Sequence, residues 1–334
     1  MNLALVKLSS LGDVLHSLPV AVTLRAALPG IRLTWVAERR EAALLDGHPA
    51  VDEVAVLDTR GWRRALGSRH IVEVGRALVL ARRRLRAGRF DVALDLQGLL
   101  KSGLVTAATG APVRIGFAAE ACRERLSALF TNRRVTPPPE ARHVVDQYLS
   151  LLTPLGITAP VREFRLPVDA RAEAAIDEFF VASGLKPRDR IVVLNPGARR
   201  AEKRWPAERF CELASRLSEE AAAKVLVVWG PGEQDGARAI VDASRRGAAI
   251  LAPATDLAAL RALLGRGTVV VAGDTGPLHL AAALERPCVG LYGPTSASRN
   301  GPYGPAQRAL QSPDGMMAGL GVDAVFSAVT ELLA

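Results

Sequence analysis

Short apolar runs alternate along the chain with longer segments in which apolar residues recur every three or four positions. The short runs predict buried strands and the longer, periodic segments predict helices. In the first half we expect strands at 3–7, 32–36, 53–57, 92–96 and 113–117 and helices at 14–28, 72–87, 99–108 and 143–152. In the second half we expect strands at 191–194, 224–229, 248–251, 268–272 and 288–291 and helices at 172–183, 207–219, 234–244, 257–264, 276–284 and 322–333.

Strands that alternate with helices are typical of parallel α/β architecture. A chain of 334 residues is too long for one ordinary core and suits two domains. We therefore predict an α/β protein of two doubly wound, parallel-sheet (Rossmann-like) domains that face each other across a cleft. The boundaries that we expect are 1–155 and 170–318, with a last helix, about 320–334, that folds back onto the first domain.

The composition, 49% hydrophobic and 23% charged, is that of a globular enzyme and excludes a disordered chain. No apolar run approaches the length that spans a membrane, and the N-terminus lacks the features of a signal peptide. The three cysteines have no metal-ligand spacing, and we interpret them as small buried hydrophobes in a reducing cytoplasm. Since the chain also has no Asp-x-Asp or His-x-x-x-His pattern, we expect no metal.

The positive charge is concentrated in the N-terminal part of the chain. Residues 1–150 contain 22 basic and 14 acidic residues, so they carry +8 of the net charge of +9. This asymmetry indicates an anionic partner, either nucleic acid, a membrane surface or a phosphorylated substrate, unless the arginines merely solvate the surface. An aromatic content of 4% and the absence of a recognised motif argue against nucleic acid.

Asp13 lies between the first predicted strand and the first predicted helix, where open α/β sheets place their ligand sites. The dipole and free N–H groups of the helix favour an ionised carboxylate, which is able to accept a proton. Helix capping alone also explains an acid here. Ser9, Ser10 and Gly12 beside it favour a functional site.

A second candidate site follows the predicted strand at 268–272. Gly273 and Gly276 allow close approach of the backbone, and Thr275 and the helix N–H groups face an anion. His279, one turn into the helix, is placed to donate to a phosphate. Asp274 fits a turn cap, a group that orients its neighbours or a group that binds a sugar hydroxyl.

Two further residues lie at predicted strand or helix ends in the same domain. Lys203 opens a helix, where it is able to neutralise charge on a departing diphosphate. Glu233 follows a strand, where a carboxylate accepts hydrogen bonds from ribose hydroxyls, although a charge at a helix start is the alternative.

The chain resembles the lipopolysaccharide heptosyltransferases, glycosyltransferase family 9. The resemblance is carried, in the expected order, by SSLGDVLH (9–16), DLQGLLKS (95–102), KRWP (203–206), GDTGPLHL (273–280) and YGPT (292–295). Each segment is weak evidence alone, but several in register over nearly the whole chain are specific.

The resemblance implies a GT-B fold with the acceptor on the N-terminal domain and the nucleotide sugar on the C-terminal domain. It assigns the donor diphosphate to Asp274, Thr275, Gly276 and His279, a phosphate contact to Lys203 and the ribose to Glu233. Arginine forks suit phosphate and carboxylate groups. The residues that match acceptor-side positions are Arg60, Arg63, Arg64 and Arg123, with Lys101 as a further candidate.

One loop departs from the family pattern. Gly197 and Ala198 stand where relatives have hydroxyl residues that contact phosphate. Any side-chain contact there would have to come from Arg199 or Arg200.

The predicted activity is metal-independent, inverting transfer of heptose from ADP-L-glycero-D-manno-heptose to the Kdo region of anionic lipid A precursor, without a cofactor. Asp13 is the expected general base and Lys203 the residue that stabilises departing ADP. We expect a monomer in the cytoplasm, peripheral on the cytoplasmic face of the inner membrane. The alternatives are transfer of a second heptose or another sugar, a basic nucleic-acid-binding protein, and an inactive nucleotide-sugar binder, against which intact Asp13 and Lys203 argue.

Overall fold

The computed structural model describes residues 1–67, 71–245 and 248–334. The chain divides into two compact units, Met1–Pro167 and Val168–Ala334. Each unit contains a six-stranded parallel sheet with helical connections. The predicted class, two doubly wound parallel sheets, is therefore confirmed. In the described part of the chain, no helix combines the length and apolarity needed to cross a membrane.

The N-terminal unit begins with a strand that is buried on both faces. Its elements are β1 (Asn2–Val6), α1 (Leu11–Ala27), β2 (Arg32–Glu38), α2 (Arg39–Ala42), β3 (Glu53–Leu57), α3 (Thr59–Gly67), α4 (Ile71–Ala87), β4 (Val92–Asp95), α5 (Leu100–Thr109), β5 (Val113–Phe117), β6 (Arg133–Val135) and α6 (Val144–Ser150). A short 3₁₀ helix covers Arg125–Phe130. The sheet order is β3-β2-β1-β4-β5-β6.

The C-terminal unit repeats this topology. Its elements are α7 (Ala170–Ala182), β7 (Ile191–Asn195), α8 (Ala207–Glu220), β8 (Lys224–Val227), α9 (Gln234–Ala243), β9 (Ala249–Leu251), α10 (Leu257–Arg266), β10 (Val269–Gly273), α11 (Gly276–Ala283), β11 (Cys288–Tyr292), α12 (Ala297–Asn300), β12 (Gln307–Gln311) and α13 (Val322–Leu333). The sheet order is β12-β11-β10-β7-β8-β9.

In each sheet the direction of winding reverses beside the first strand. The reversal lies between β1 and β4 in the N-terminal unit and between β7 and β10 in the C-terminal unit. Connections leave these strands toward opposite faces, so a crevice opens at their carboxyl ends, where doubly wound sheets bind ligands.

The last helix, which the sequence led us to expect on the first domain, lies in the core of the C-terminal unit. Val325 and Val329 are fully buried, four residues apart on one helical face, and they join the apolar cluster that contains Leu217 of α8. The Arg216 guanidinium lies over the ring of Phe326, with its carbon 4.3 Å from the ring centroid. These contacts make α13 part of the C-terminal unit.

Candidate active site

Asp13 lies at the crevice of the N-terminal unit, in the first turn of α1. Its Oδ2 accepts hydrogen bonds from the backbone N–H of Ser10, at 3.0 Å, and from the Ser10 hydroxyl, at 2.7 Å. The side chain is 30% exposed. Asp13 is therefore both fixed by its neighbours and accessible to a ligand.

A buried lysine faces the other oxygen of this carboxylate. Lys7 is 2% exposed, and its Nζ lies 3.7 Å from Asp13 Oδ1. The ammonium donates to the Tyr148 hydroxyl at 2.6 Å and to the Leu96 carbonyl at 3.0 Å. The Tyr148 hydroxyl in turn donates to Asp13 Oδ1 at 3.4 Å. Sequence reasoning assigned no role to Lys7 or Tyr148.

The surroundings keep Asp13 ionised. Burial favours the neutral acid, but attraction to Lys7, the two hydrogen bonds from Ser10 and the charge of Arg123 outweigh it, so the pKa of Asp13 lies below its usual range. At neutral pH the group is a carboxylate that is able to accept a proton.

The loop after β4 completes this side of the crevice. Buried Asp95 accepts hydrogen bonds from the backbone N–H groups of Gln97, at 2.8 Å, and Gly98, at 3.2 Å. The Gln97 side chain then accepts the N–H of Leu8, which joins this loop to the end of β1. Burial raises the pKa of Asp95, whereas the pKa of Asp13 is lowered. Lys101, on α5, donates to the Ser9 hydroxyl at 3.4 Å.

The structure distributes the predicted acceptor arginines over two places. Arg123 is exposed, and its positive charge helps to lower the pKa of Asp13. Arg60 and exposed Arg64 lie on α3, which follows the edge strand β3, and Arg60 pairs with buried Glu41 at 2.9 Å. The side chain of Arg63 lies outside the described part of the structure.

In the C-terminal unit, three predicted residues form one cluster at the end of β10. The Lys203 ammonium lies 2.6 Å from Asp274 Oδ2, and His279 Nε2 lies 3.0 Å from Asp274 Oδ1. Burial opposes the charge on Asp274, but His279 and Lys203 outweigh it and hold the pKa of this carboxyl far below its usual range. Asp274 thus contacts a lysine and a histidine, an arrangement that fits a group that orients its neighbours.

The N-terminus of α11 lies directly beside this cluster. Thr275 is the N-cap and Gly276 the first helical residue. The Thr275 hydroxyl accepts a hydrogen bond from the Asn195 side chain at 3.2 Å, which joins the ends of β7 and β10 across the reversal point. A Cβ at Gly273 would lie 2.9 Å from the Lys203 carbonyl, so only glycine allows the turn that contains Lys203 to approach β10 this closely. The free N–H groups of such a helix end bind anions.

Glu233 borders the same end of the sheet. Its Oε2 accepts the backbone N–H of Gly230 at 2.9 Å, and its carboxylate packs directly against Gly197, where a Cβ would overlap it. Arg199 and Arg200 are exposed, and Arg200 donates to Glu202 at 2.6 Å. A contact of either arginine with phosphate stays a prediction.

The family is decided by comparison with known proteins. Residues 79–324 match the family model of glycosyltransferase family 9 (heptosyltransferase). This chain belongs to glycosyltransferase family 9. The resemblance inferred from the sequence segments is confirmed, and the chain is a glycosyltransferase.

Relatives match this glycosyltransferase over most or all of its length. It is 30% identical to lipopolysaccharide heptosyltransferase 1 of Escherichia coli K12, over 99% of this chain and 100% of the relative. It is 33% identical to the protein of the same name from Pseudomonas aeruginosa, over 93% of this chain and 84% of the relative. The solved structure of E. coli heptosyltransferase WaaC with ADP-2-deoxy-2-fluoro heptose matches with a TM-score of 0.81 at 29% identity, over 99% of each chain.

No three acidic, histidine or cysteine side chains in the described ranges of this glycosyltransferase are grouped so as to hold a metal ion. The charged pairs at the two crevices are Asp13 with Lys7 and Asp274 with Lys203, and His279 also contacts Asp274.

Proposed function

We propose that this glycosyltransferase moves heptose from ADP-L-glycero-D-manno-heptose to the Kdo region of a lipid A precursor, with inversion and without a metal ion. The observation that carries the proposal is the ionised, partly exposed Asp13 at the reversal point of its sheet. The structure of a full-length relative with a fluorinated ADP-heptose supports the donor class.

Asp13 acts as the general base in this reaction. Its carboxylate takes the proton of the acceptor hydroxyl as that oxygen forms a bond to the anomeric carbon of the heptose. The bond from this carbon to the diphosphate oxygen breaks, and its electron pair leaves with ADP. A single displacement of this kind inverts the anomeric configuration.

The donor diphosphate binds at the N-terminus of α11. Lys203 and the helix N–H groups after Thr275 stabilise the charge that grows on the leaving phosphate. His279 donates a hydrogen bond to the same group, and Asp274 fixes the positions of both side chains. Glu233 accepts hydrogen bonds from the ribose. Since these groups supply the charge, the proposed reaction has no need of a metal.

The acceptor is anionic, and basic side chains bind it. Arg123 and Lys101 lie close to Asp13 or its loop, and Arg60, Arg63 and Arg64 follow β3. A lipid-linked acceptor places the reaction at the cytoplasmic face of the inner membrane, where we propose that the chain works as a peripheral monomer.

Two properties of the reaction test this function. Turnover with ADP-heptose and Kdo-lipid A is expected to persist in EDTA, and proton NMR of the product is expected to show an anomeric configuration opposite to that of the donor. Loss of turnover in EDTA that returns with a divalent ion, or a retained configuration, would contradict the proposed mechanism.

The pH dependence tests the role of Lys7. In Lys7→Met the largest favourable charge near Asp13 is gone, while burial remains, so the pKa of Asp13 rises. The low-pH limb of the kcat profile, along which activity falls as the base is protonated, is expected to move to higher pH. Tyr148→Phe removes one donor to the carboxylate and should produce a smaller shift in the same direction.

Each variant is assayed for kcat across pH and for ADP affinity by calorimetry. ADP affinity is expected to stay unchanged, because Lys7 lies in the N-terminal unit and ADP is proposed to bind in the C-terminal unit. A kcat profile that falls in height without moving along the pH axis would mean that Lys7 only supports the fold.

A further inference from the structure

Four leucines of the N-terminal unit lie on its surface. The exposed fractions are 40% for Leu100 and 52% for Leu104 on α5, and 61% for Leu126 and 71% for Leu129 on the 3₁₀ helix Arg125–Phe130. A spacing of four on an α-helix and of three on a 3₁₀ helix puts each pair on one face of its element. We call these four residues the leucine surface.

The leucines are the apolar side chains of these two elements that face solvent. The buried residues of α5 are Ser102, Gly103, Thr106 and Thr109, and those of the 3₁₀ helix are Ser127 and Ala128. Val105 and Ala108 of α5 pack against the apolar core. Four exposed leucines contribute nothing to this core, so the leucine surface requires another explanation than core packing.

The two elements are held together firmly. A Cβ at Gly103 would lie 2.7 Å from the Phe130 ring and 3.1 Å from the Ser127 carbonyl, which shows how closely α5 approaches the 3₁₀ helix. The Glu124 carboxylate accepts the backbone N–H of Leu100 at 2.6 Å. The leucine surface is therefore built on a well-packed pair of elements.

Basic side chains accompany these leucines in the sequence. Lys101, Arg123 and Arg125 adjoin the two pairs, whereas the nearest acid, Glu124, is engaged by the Leu100 N–H. Residues 1–150 also carry nearly all of the net positive charge. Exposed apolar side chains with basic neighbours complement a bilayer with anionic headgroups.

We propose that the leucine surface seats the protein in the interface of an anionic lipid bilayer, with Arg125 at headgroup level. The choice of a bilayer over a protein partner rests on the proposed lipid-linked acceptor. Lys101 of α5 donates to the Ser9 hydroxyl at 3.4 Å, in the loop that leads to Asp13. The seat therefore brings the membrane that contains the acceptor close to the proposed base.

Sedimentation with phosphatidylglycerol–phosphatidylcholine vesicles and with pure phosphatidylcholine vesicles tests this seat. The wild type is expected to bind the anionic vesicles more tightly. Leu126→Ser/Leu129→Ser is expected to lower this binding on the order of ten-fold, because two leucines lose most of their apolar area. Arg125→Gln should lower binding to anionic vesicles about five-fold and leave binding to neutral vesicles unchanged.

A matched control pair lies in the other unit. Val168 and Val181 are 78% and 79% exposed, and Val168→Ser/Val181→Ser should bind vesicles as the wild type does. Equal binding by the leucine variant and the wild type, or equal losses in both double variants, would overturn the proposal. A dimer in sedimentation velocity without lipid that the leucine variant abolishes would assign the surface to self-association instead.

The assay of transfer separates this proposal from the proposed function. With a soluble, de-acylated acceptor the leucine variant should match the wild type, and with acceptor embedded in anionic vesicles it should be slower. If the wild type turned over neither acceptor but still bound vesicles through the leucines, the result would contradict the proposed function alone.

Discussion

Asp13→Asn is expected to lower turnover of ADP-heptose with de-acylated acceptor by about 10²–10⁴-fold, the range that general base catalysis contributes. The amide keeps the shape of the carboxylate but accepts no proton from the acceptor hydroxyl. ADP affinity should stay unchanged, because Asp13 belongs to the N-terminal unit and the proposed ADP site to the C-terminal unit.

Steady-state kinetics and calorimetric titration with ADP measure these two effects. Asp146 provides a matched control, because it is also an aspartate in the first turn of a helix of the N-terminal unit and is paired with Arg162 at 3.2 Å. Asp146→Asn should retain turnover. Unchanged turnover in Asp13→Asn would remove Asp13 from the mechanism.

The second large effect is expected at Lys203. Lys203→Met removes the ammonium that we propose stabilises the departing diphosphate, and loss of one such group from a catalytic site lowers kcat by about 10²–10³-fold. ADP binding should weaken as well, since the same charge is proposed to contact the bound nucleotide. Lys224→Met, at an exposed lysine of β8 in the same unit, should leave both quantities unchanged.

A second variant separates this role of Lys203 from its part in stability. Loss of Lys203 leaves the partly buried Asp274 with His279 as its remaining partner in the cluster, which is expected to lower the melting temperature. Lys203→Met/Asp274→Asn removes the unpaired charge and should regain part of that stability without regaining turnover. If turnover returned with stability, the lysine would support the fold and not the reaction.

The sequence pattern predicted the elements that define each crevice. β1, β4, β7 and β10 are continuous apolar runs because helices cover both faces of their sheets. The edge strands β6 and β12 were not predicted, since β6 has only three residues, two of them arginines, and β12 is largely polar. The helix α3 was also missed, because it is short and mostly polar, although Trp62, Ala65 and Leu66 recur at helical spacing.

The sequence identified candidate residues whose position in the fold depends on their immediate neighbours along the chain. Asp13 and Thr275 follow buried strands and begin helices, and the structure puts both at reversal points. Tyr148 lies 135 residues from Asp13, and no local pattern predicts that α6 brings its hydroxyl to that carboxylate. Lys203 and Asp274 are 71 residues apart in sequence. They pair because the fold places the end of β10 beside the turn after β7.

The most direct measurement of the proposed function is ADP release from ADP-heptose in EDTA, with and without de-acylated Kdo-lipid A. The account predicts release that depends on the acceptor, together with a product heavier by one heptose in mass spectrometry. Tight binding of ADP without acceptor-dependent release would keep the fold and the nucleotide site but contradict heptosyl transfer to this acceptor.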